Sequence, residues 1–424
     1  MSASGELCSA APQYAGSDYV DDGPAELPAD RFDGFQVPQE AEAARVPWAD
    51  PAPGGFGGAV RLGSPAEVAA AVPHFFGFHP DASVVVLGLS RAGQDGRAAI
   101  SHGLRADLDA ATRGPAGFGR WMAGRLVRAG ANETLCVVYP PENGPARMSD
   151  YRRVVAGMCA PLRLAGVPPL DVLFVAGGKW WSFLCDQPSC CPPEGSPVDP
   201  GPSTIAALSA YSGLAVLPSR AALAASLDRY GAHMADRMRQ SCDAALERRA
   251  AERGEQSQDG SCAEDTPDPE RDWAEITRAW QLADSLCDGQ VPPDRALDDE
   301  AAGELLVALV DVRMRDYLAT WCADDRAGQA VALSVELARR AVTGEQAAAA
   351  YSIAAWAAWA LGWGAWARLC VERAAAAVPD YALAGLIKQG IDRGIGPELV
   401  REAARGTARR LTEMQAEHTA PKAW

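Results

Sequence analysis

Three thiols carry the clearest chemical potential in this chain. They are Cys185, Cys190 and Cys191, in the stretch Gly178-Lys-Trp-Trp-Ser-Phe-Leu-Cys-Asp-Gln-Pro-Ser-Cys-Cys-Pro-Pro-Glu-Gly195. Thiolates are good zinc ligands, but structural zinc takes four ligands, usually with a two-to-four-residue spacing. Here the spacing is four residues and then none, so a fourth ligand must come from elsewhere, with His79, His102 or Cys136 as candidates. A nucleophilic or redox-active thiol needs an activating neighbour, and no base stands nearby in sequence. The plainest reading is that these thiols pack a stiffened turn against Trp180 and Trp181. Pro192 and Pro193 fix φ and Gly195 permits a positive one, which makes the turn defined. The spacing predicts that the three sulfurs lie within a few ångströms of one another at one edge of a sheet. Trp180 and Trp181 alternate faces, so only one of them can hold the thiols.

A second set of residues forms a candidate pocket: His79, Asp81, Arg105, Asp107, Trp180 and Trp181. His79 and Asp81 precede a strand and have the chemistry of an acid–base pair. A structural histidine in a helix-to-strand connector is the commoner case, and His74 shares that reading. Arg105 and Asp107 stand two apart on one strand, so they point the same way, into a pocket or onto a solvated sheet face. Arg313, Arg315 and Asp316 read as an interhelical ion network. The glycines at 54, 55, 57 and 58 follow no strand, and no Gly-Lys-Ser/Thr loop occurs, so neither a P-loop nor a dinucleotide fingerprint is supported. Neither His-Glu-x-x-His nor Gly-x-Ser-x-Gly appears. The sequence therefore names no reaction.

The elements that must position these residues read as an α/β domain followed by an all-helical one. Residues 1–58 hold ten acidic and two basic residues with unpatterned aromatics, and are expected to form a disordered acidic tail. Ser64-Pro-Ala-Glu67 has the residues of a helix start. Ser83 to Leu89 reads as a strand covered on both faces, Asp95-Gly96 as a turn, and Ile100 to Leu108 as the hairpin partner with one wet face. Helices over Pro115 to Ala129 and Ser149 to Ala165 alternate with strands over Thr134 to Tyr139 and Asp171 to Ala176. Gly177-Gly178 turns the chain into a returning strand, Lys179 to Leu184. Strands separated by such helices predict a mainly parallel, covered sheet over residues 59–253. A short helix over 202–210, a last strand at Leu214 to Leu217 and a charged helix to about Arg253 follow. Residues 254–270 read as a linker. Residues 271–415 read as helices over Asp272 to Cys287, Asp299 to Thr320, Ala327 to Ala341, Gln346 to Leu361, Ala365 to Val378, Tyr381 to Arg393 and Pro397 to Met414, with a tail at 416–424. The spacing Gly362…Ala367…Val371…Ala374…Pro379 is similar to a tetratricopeptide helix pair.

With a formal net charge of -16 over 424 residues, an acidic surface repels phosphate backbones, which argues against nucleic-acid partners. Lysine appears only at 179, 388 and 422, and no basic stripe is present. The odd count of 11 cysteines, with no basic n-region and apolar stretch at the start, predicts reduced thiols and a cytoplasmic location. Residues Ala347 to Ala367 lack charge but are Ala-rich, with Gly362 and Gly364 inside, so they read as buried bundle helices rather than a membrane span.

Four stretches carry a resemblance. They are Arg61-Leu-Gly-Ser-Pro-Ala-Glu-Val68 with Val72-Pro-His-Phe-Phe-Gly-Phe-His-Pro-Asp-Ala-Ser-Val-Val85; Trp180-Trp-Ser-Phe-Leu-Cys185 with Cys190-Cys-Pro-Pro-Glu-Gly-Ser-Pro197; Val216-Leu-Pro-Ser-Arg-Ala-Ala-Leu223; and Val312-Arg-Met-Arg-Asp316 with Pro379-Asp-Tyr-Ala-Leu-Ala384. Together they resemble the actinobacterial domain-of-unknown-function family 4192, over roughly residues 60–400. The resemblance implies a cytoplasmic protein with no assigned activity and transfers no catalytic residues.

The expectation is a non-enzymatic binding or regulatory protein that meets a protein partner through its helical domain or acidic tail. The alternative is an enzyme whose thiol- or zinc-containing site lies near Gly177, Gly178 and the cysteine turn, where strands end at their carboxyl side. The linker reading makes a direct prediction. Limited trypsin should cut first at the ends of 254–270, after Arg253 or Arg271, and leave two stable fragments. First cleavage inside 100–200 would defeat the boundary.

Overall fold

The computed structural model describes residues 42–44, 62, 64–91, 98–142, 147–198, 216–255, 269–287 and 293–419. The expected turn at Asp95-Gly96, the helix over 202–210, and nearly all of the tail and linker lie outside these residues.

The first helix, Pro65–Phe76, begins where local chemistry requires: the Ser64 side chain accepts from the Glu67 N–H and proline opens the helix. It ends at Gly77, whose φ of 77° closes the turn, and Phe78 and His79 then pair with Leu217. The strands are β1 (Glu42–Ala44), β2 (Ser83–Arg91), β3 (Ala98–Asp107), β4 (Glu133–Tyr139), β5 (Pro169–Ala176), β6 (Lys179–Ser182) and β7 (Ser196–Pro197). They form a mixed sheet in the order β1-β3-β2-β4-β5-β6-β7. Only β4 and β5 pair in parallel among the described strands; β1–β3, β2–β3, β2–β4, β5–β6 and β6–β7 are antiparallel. The sheet is thus not mainly parallel. The reason is positional. β3 and β4, joined by helices, do run the same way, but β2 sits between them and is antiparallel to both.

Two further expectations change. Glu42–Ala44, within the stretch read as disordered tail, pairs with the outer edge of β3, where backbone donors and acceptors would otherwise lack strand partners. The β3 face read as wet is covered: Arg105 is buried, 5% exposed.

The sheet has helices on both faces. On one side lie Leu108–Arg113, Pro115–Arg128 and Arg152–Leu164. On the other, Val85, Leu87, Val137, Tyr139, Leu173 and Trp180 share a continuous core with Val72, Phe75 and Phe76 of the first helix and with residues of the helical half. The centre of that half is Gly344–Ala360, buried on nearly every side. Its start is a complete capping box between Thr343 and Gln346. It packs between Ala327–Arg340 and Gly364–Ala377 and also touches Ala382–Asp392 and Pro397–Thr419. A helix apolar all round belongs in such an interior, and small alanines let its neighbours approach. The uncharged run at 347–367 is divided at Gly362, whose φ is 78°, so it forms parts of two helices. Among the described residues no helix is long and apolar enough to cross a membrane. The expected helix from Asp299 to Thr320 is also two, Asp299–Ala308 and Val312–Thr320; Asp311 caps the second by accepting from the Arg313 N–H. Arg313 also pairs with Asp311 at 2.6 Å, and Arg315 with Asp316 at 2.8 Å.

Helices Pro115–Arg128 and Arg152–Leu164 cross very closely. A Cβ on Gly119 would meet the Met158 carbonyl oxygen at 2.4 Å, whereas one on Gly124 would meet nothing nearer than the Arg128 guanidinium at 3.7 Å. Gly119→Ala should therefore cost about 1–3 kcal/mol through overpacking. Gly124→Ala should leave stability unchanged or raise it by up to about 1 kcal/mol. Urea denaturation of the two variants checks this, and equal midpoints would refute it.

Candidate functional site

The cysteine turn is built from β5 outward. Gly177 and Gly178, with φ of 57° and 72°, reverse the chain from β5 into β6. The register sets Leu173 opposite Ser182. That brings the Ser182 hydroxyl to Asp171, where it donates to Oδ1 at 2.6 Å. The same carboxylate oxygen accepts from the Val172 N–H at 2.7 Å. Ser182 Oγ in turn accepts from the backbone N–H groups of Leu184 (3.0 Å) and Cys185 (3.1 Å). One serine thus ties the start of the turn to a half-buried acid in the sheet.

The far side is fixed by Trp181. Its Nε1 donates to the Pro193 carbonyl at 3.0 Å, and its ring stacks over Gly195. A Cβ at Gly195 would lie 2.4 Å from that ring, and its φ is 79°, so glycine is required twice over. Lys179 Nζ donates to the Glu194 carbonyl at 2.9 Å. Trp180 points to the other face and enters the core.

Between these anchors the Gln187 carbonyl accepts from the N–H groups of Cys190 (3.1 Å) and Cys191 (2.7 Å). The turn so formed brings the thiols together. Cys185 Sγ lies 3.1 Å from Cys190 Sγ, and Cys190 Sγ lies 3.6 Å from Cys191 Sγ. All three sulfurs fall within 4.8 Å of one another, and all three are free thiols. Cys190 is exposed, while Cys185 and Cys191 are half-buried. The Gln187 N–H, and then the Cys190 thiol, hold the Cys185 thiol below its ordinary range. Burial, and then the adjoining thiols, push Cys191 up to about 12.

The convergence of the three thiols follows the sequence expectation; their exposure does not. Packing accounts for Cys191, which lies against the core, but not for solvent-facing Cys190. Among the described residues no other Cys, His, Asp or Glu joins the three in one ligand-sized group, so His79, His102 and Cys136 supply no fourth ligand there.

The other candidate residues are dispersed. His79 is exposed and its N–H donates to the Leu217 carbonyl at 3.0 Å. Asp81 Oδ1 accepts from the Glu142 N–H at 2.8 Å. Arg105 ties the hairpin together, donating through Nε to Ser83 Oγ at 3.0 Å and pairing with Asp107 at 2.8 Å. The two best-formed cavities among the described residues enclose about 10 and 40 Å³, room for a few waters at most. One is lined by His74, Gly77 and Trp366, the other by His102, Arg125 and Trp359; none of the six candidate pocket residues lines either. Sequence reasoning missed Asp171 and Ser182. They are eleven apart, and only the β5–β6 register reveals their contact.

A family model described as Domain of unknown function (DUF4192) matches residues 65–398. The chain belongs to this family. The matched span of this DUF4192 chain includes the whole cysteine turn. No curated protein and no solved structure matches it.

Burial raises the carboxyl pKa of Asp171 against the opposing hydrogen bonds from Ser182 and Val172. An acid raised in the fold costs stability when it ionises, so its contribution worsens as pH climbs from the ordinary carboxylate range through the raised value. Asp171→Asn keeps an acceptor for Ser182 and should gain on wild type as pH rises through that window. Asp171→Ala leaves the serine hydroxyl without its acceptor and should cost about 1–3 kcal/mol. Denaturation midpoints measured against pH check both; parallel curves for wild type and Asp171→Asn would refute the electrostatic cause.

Proposed function

We propose that this DUF4192 chain is a non-enzymatic, cytoplasmic binding protein that holds one zinc ion at Cys185, Cys190 and Cys191. The observation that carries the reading is the convergence of three free thiols, within 4.8 Å, on one solvent-facing turn. A tetrahedral zinc–thiolate site, with bonds near 2.3 Å, sets sulfurs about 3.8 Å apart. The separations of 3.1 and 3.6 Å are within a small side-chain rotation of that spacing. Zinc takes the deprotonated thiol, and the lowered Cys185 supplies one readily. The Asp171–Ser182–Cys185 hydrogen bonds and the Trp181 clamp hold the turn in place on the sheet edge. The fourth position is left to water or to a donor from a partner.

That partner, in this reading, is a protein met through the helical half or the acidic segment 1–58. The tetratricopeptide-like spacing of the helix pair that ends at Pro379 supports the helical half. The acidic balance of the chain disfavours nucleic acid.

Elemental analysis of purified protein should approach about one zinc per chain, and a chelator should lower its melting temperature. Cys185→Ser should lose the metal. A preparation without zinc that also fails to take up added zinc would overturn the proposal.

A further inference from the structure

We infer that the cysteine turn is also an oxidation site, at which Cys185 and Cys190 close into a disulfide while Cys191 stays a thiol. Geometry selects the pair. Cys185 and Cys190 approach to 3.1 Å between sulfurs, the closer of the two contacts, across four intervening residues. The Cys190–Cys191 contact is 3.6 Å, but neighbouring Cα atoms stand about 3.8 Å apart across a trans peptide. A disulfide usually needs Cα atoms at least about 4.4 Å apart, so adjacent cysteines fall short. The closing turn is already made, because Gln187 accepts from both Cys190 and Cys191. Exposure selects the same place. Cys190 is exposed and Cys185 half-buried, whereas Cys136, Cys159, Cys242, Cys322 and Cys370 are buried. Oxidation of a thiol follows access, so the turn reacts and the core cysteines do not.

The chemistry balances with a peroxide as oxidant. One sulfur of the pair attacks hydrogen peroxide; an S–O bond forms, the O–O bond breaks and water leaves, giving a sulfenic acid. The partner sulfur 3.1 Å away then attacks that sulfur; the S–S bond forms, the S–O bond breaks and a second water leaves. Two thiols are oxidised and one peroxide is reduced to two waters. Where the zinc reading holds, on which this further step rests, the disulfide removes two of the three ligands and releases the ion.

The test uses the full chain in two arms. In the first, metal-depleted protein is treated with hydrogen peroxide and mapped by non-reducing peptide mass spectrometry. We expect one linked peptide joining Cys185 to Cys190 and the loss of one pair of free thiols, retained in Cys191→Ser. In Cys190→Ser no intramolecular link should form, and dimedone should trap a sulfenic acid on Cys185. In the second arm, zinc-loaded protein is oxidised in the presence of a chromophoric zinc chelator, and zinc release should keep pace with the link. A Cys190–Cys191 link, a link between chains only, or unchanged thiols overturns the inference. The Cys185–Cys190 link in a protein that never takes up zinc keeps the oxidation site and removes the metal reading alone.

Discussion

One face of the sheet is closed by helices drawn from both ends of the chain. Val85, Leu87, Val137, Leu173 and Trp180 point from β2, β4, β5 and β6 into the same apolar interior as Phe75 and Phe76 and the central helix Gly344–Ala360. Burial of that surface is the favourable term on which the rest depends. It fixes which side of each strand faces inward, and because strand side chains alternate, it also fixes which side faces the remaining helices. Trp180 is committed to the interior, so Trp181 is left to face the other way, onto Phe174 and the cysteine turn.

The cysteine turn thus borrows its order from the sheet. The register of β5 against β6 places Ser182 on Asp171, and Ser182 then fixes the backbone at Leu184 and Cys185. Trp181 fixes the exit through Pro193 and Gly195. The backbone of the turn is held at both ends. Such a turn brings three sulfurs together with Cys190 in water and Cys185 and Cys191 half-buried, a combination suited to binding or reaction.

The buried arginine of β3 illustrates the same dependence. Periodicity gave Arg105 and Asp107 a shared face, which is correct, and a solvated one, which is not. That face is covered at Arg105, which is accommodated by Ser83 and Asp107. A buried charge needs such partners: Ser83 reaches Arg105 from across the hairpin, and Asp107 from two residues along β3.

Local chemistry in the sequence determined the helix start at Ser64, the β2–β3 hairpin, the reversal at Gly177-Gly178, the convergence of the three cysteines, and the family. Each of these rests on residues a few positions apart, where caps, glycine φ angles and alternation act directly. The tertiary structure alone decided that β2 lies between β3 and β4, that the stretch from Asp299 to Thr320 breaks in two, that Arg105 is covered, and that Asp171 holds the cysteine turn. These outcomes depend on which distant segments share a buried face. Strand neighbours are chosen by the total apolar surface the fold can bury, and a pattern read along the chain carries no record of what packs above it.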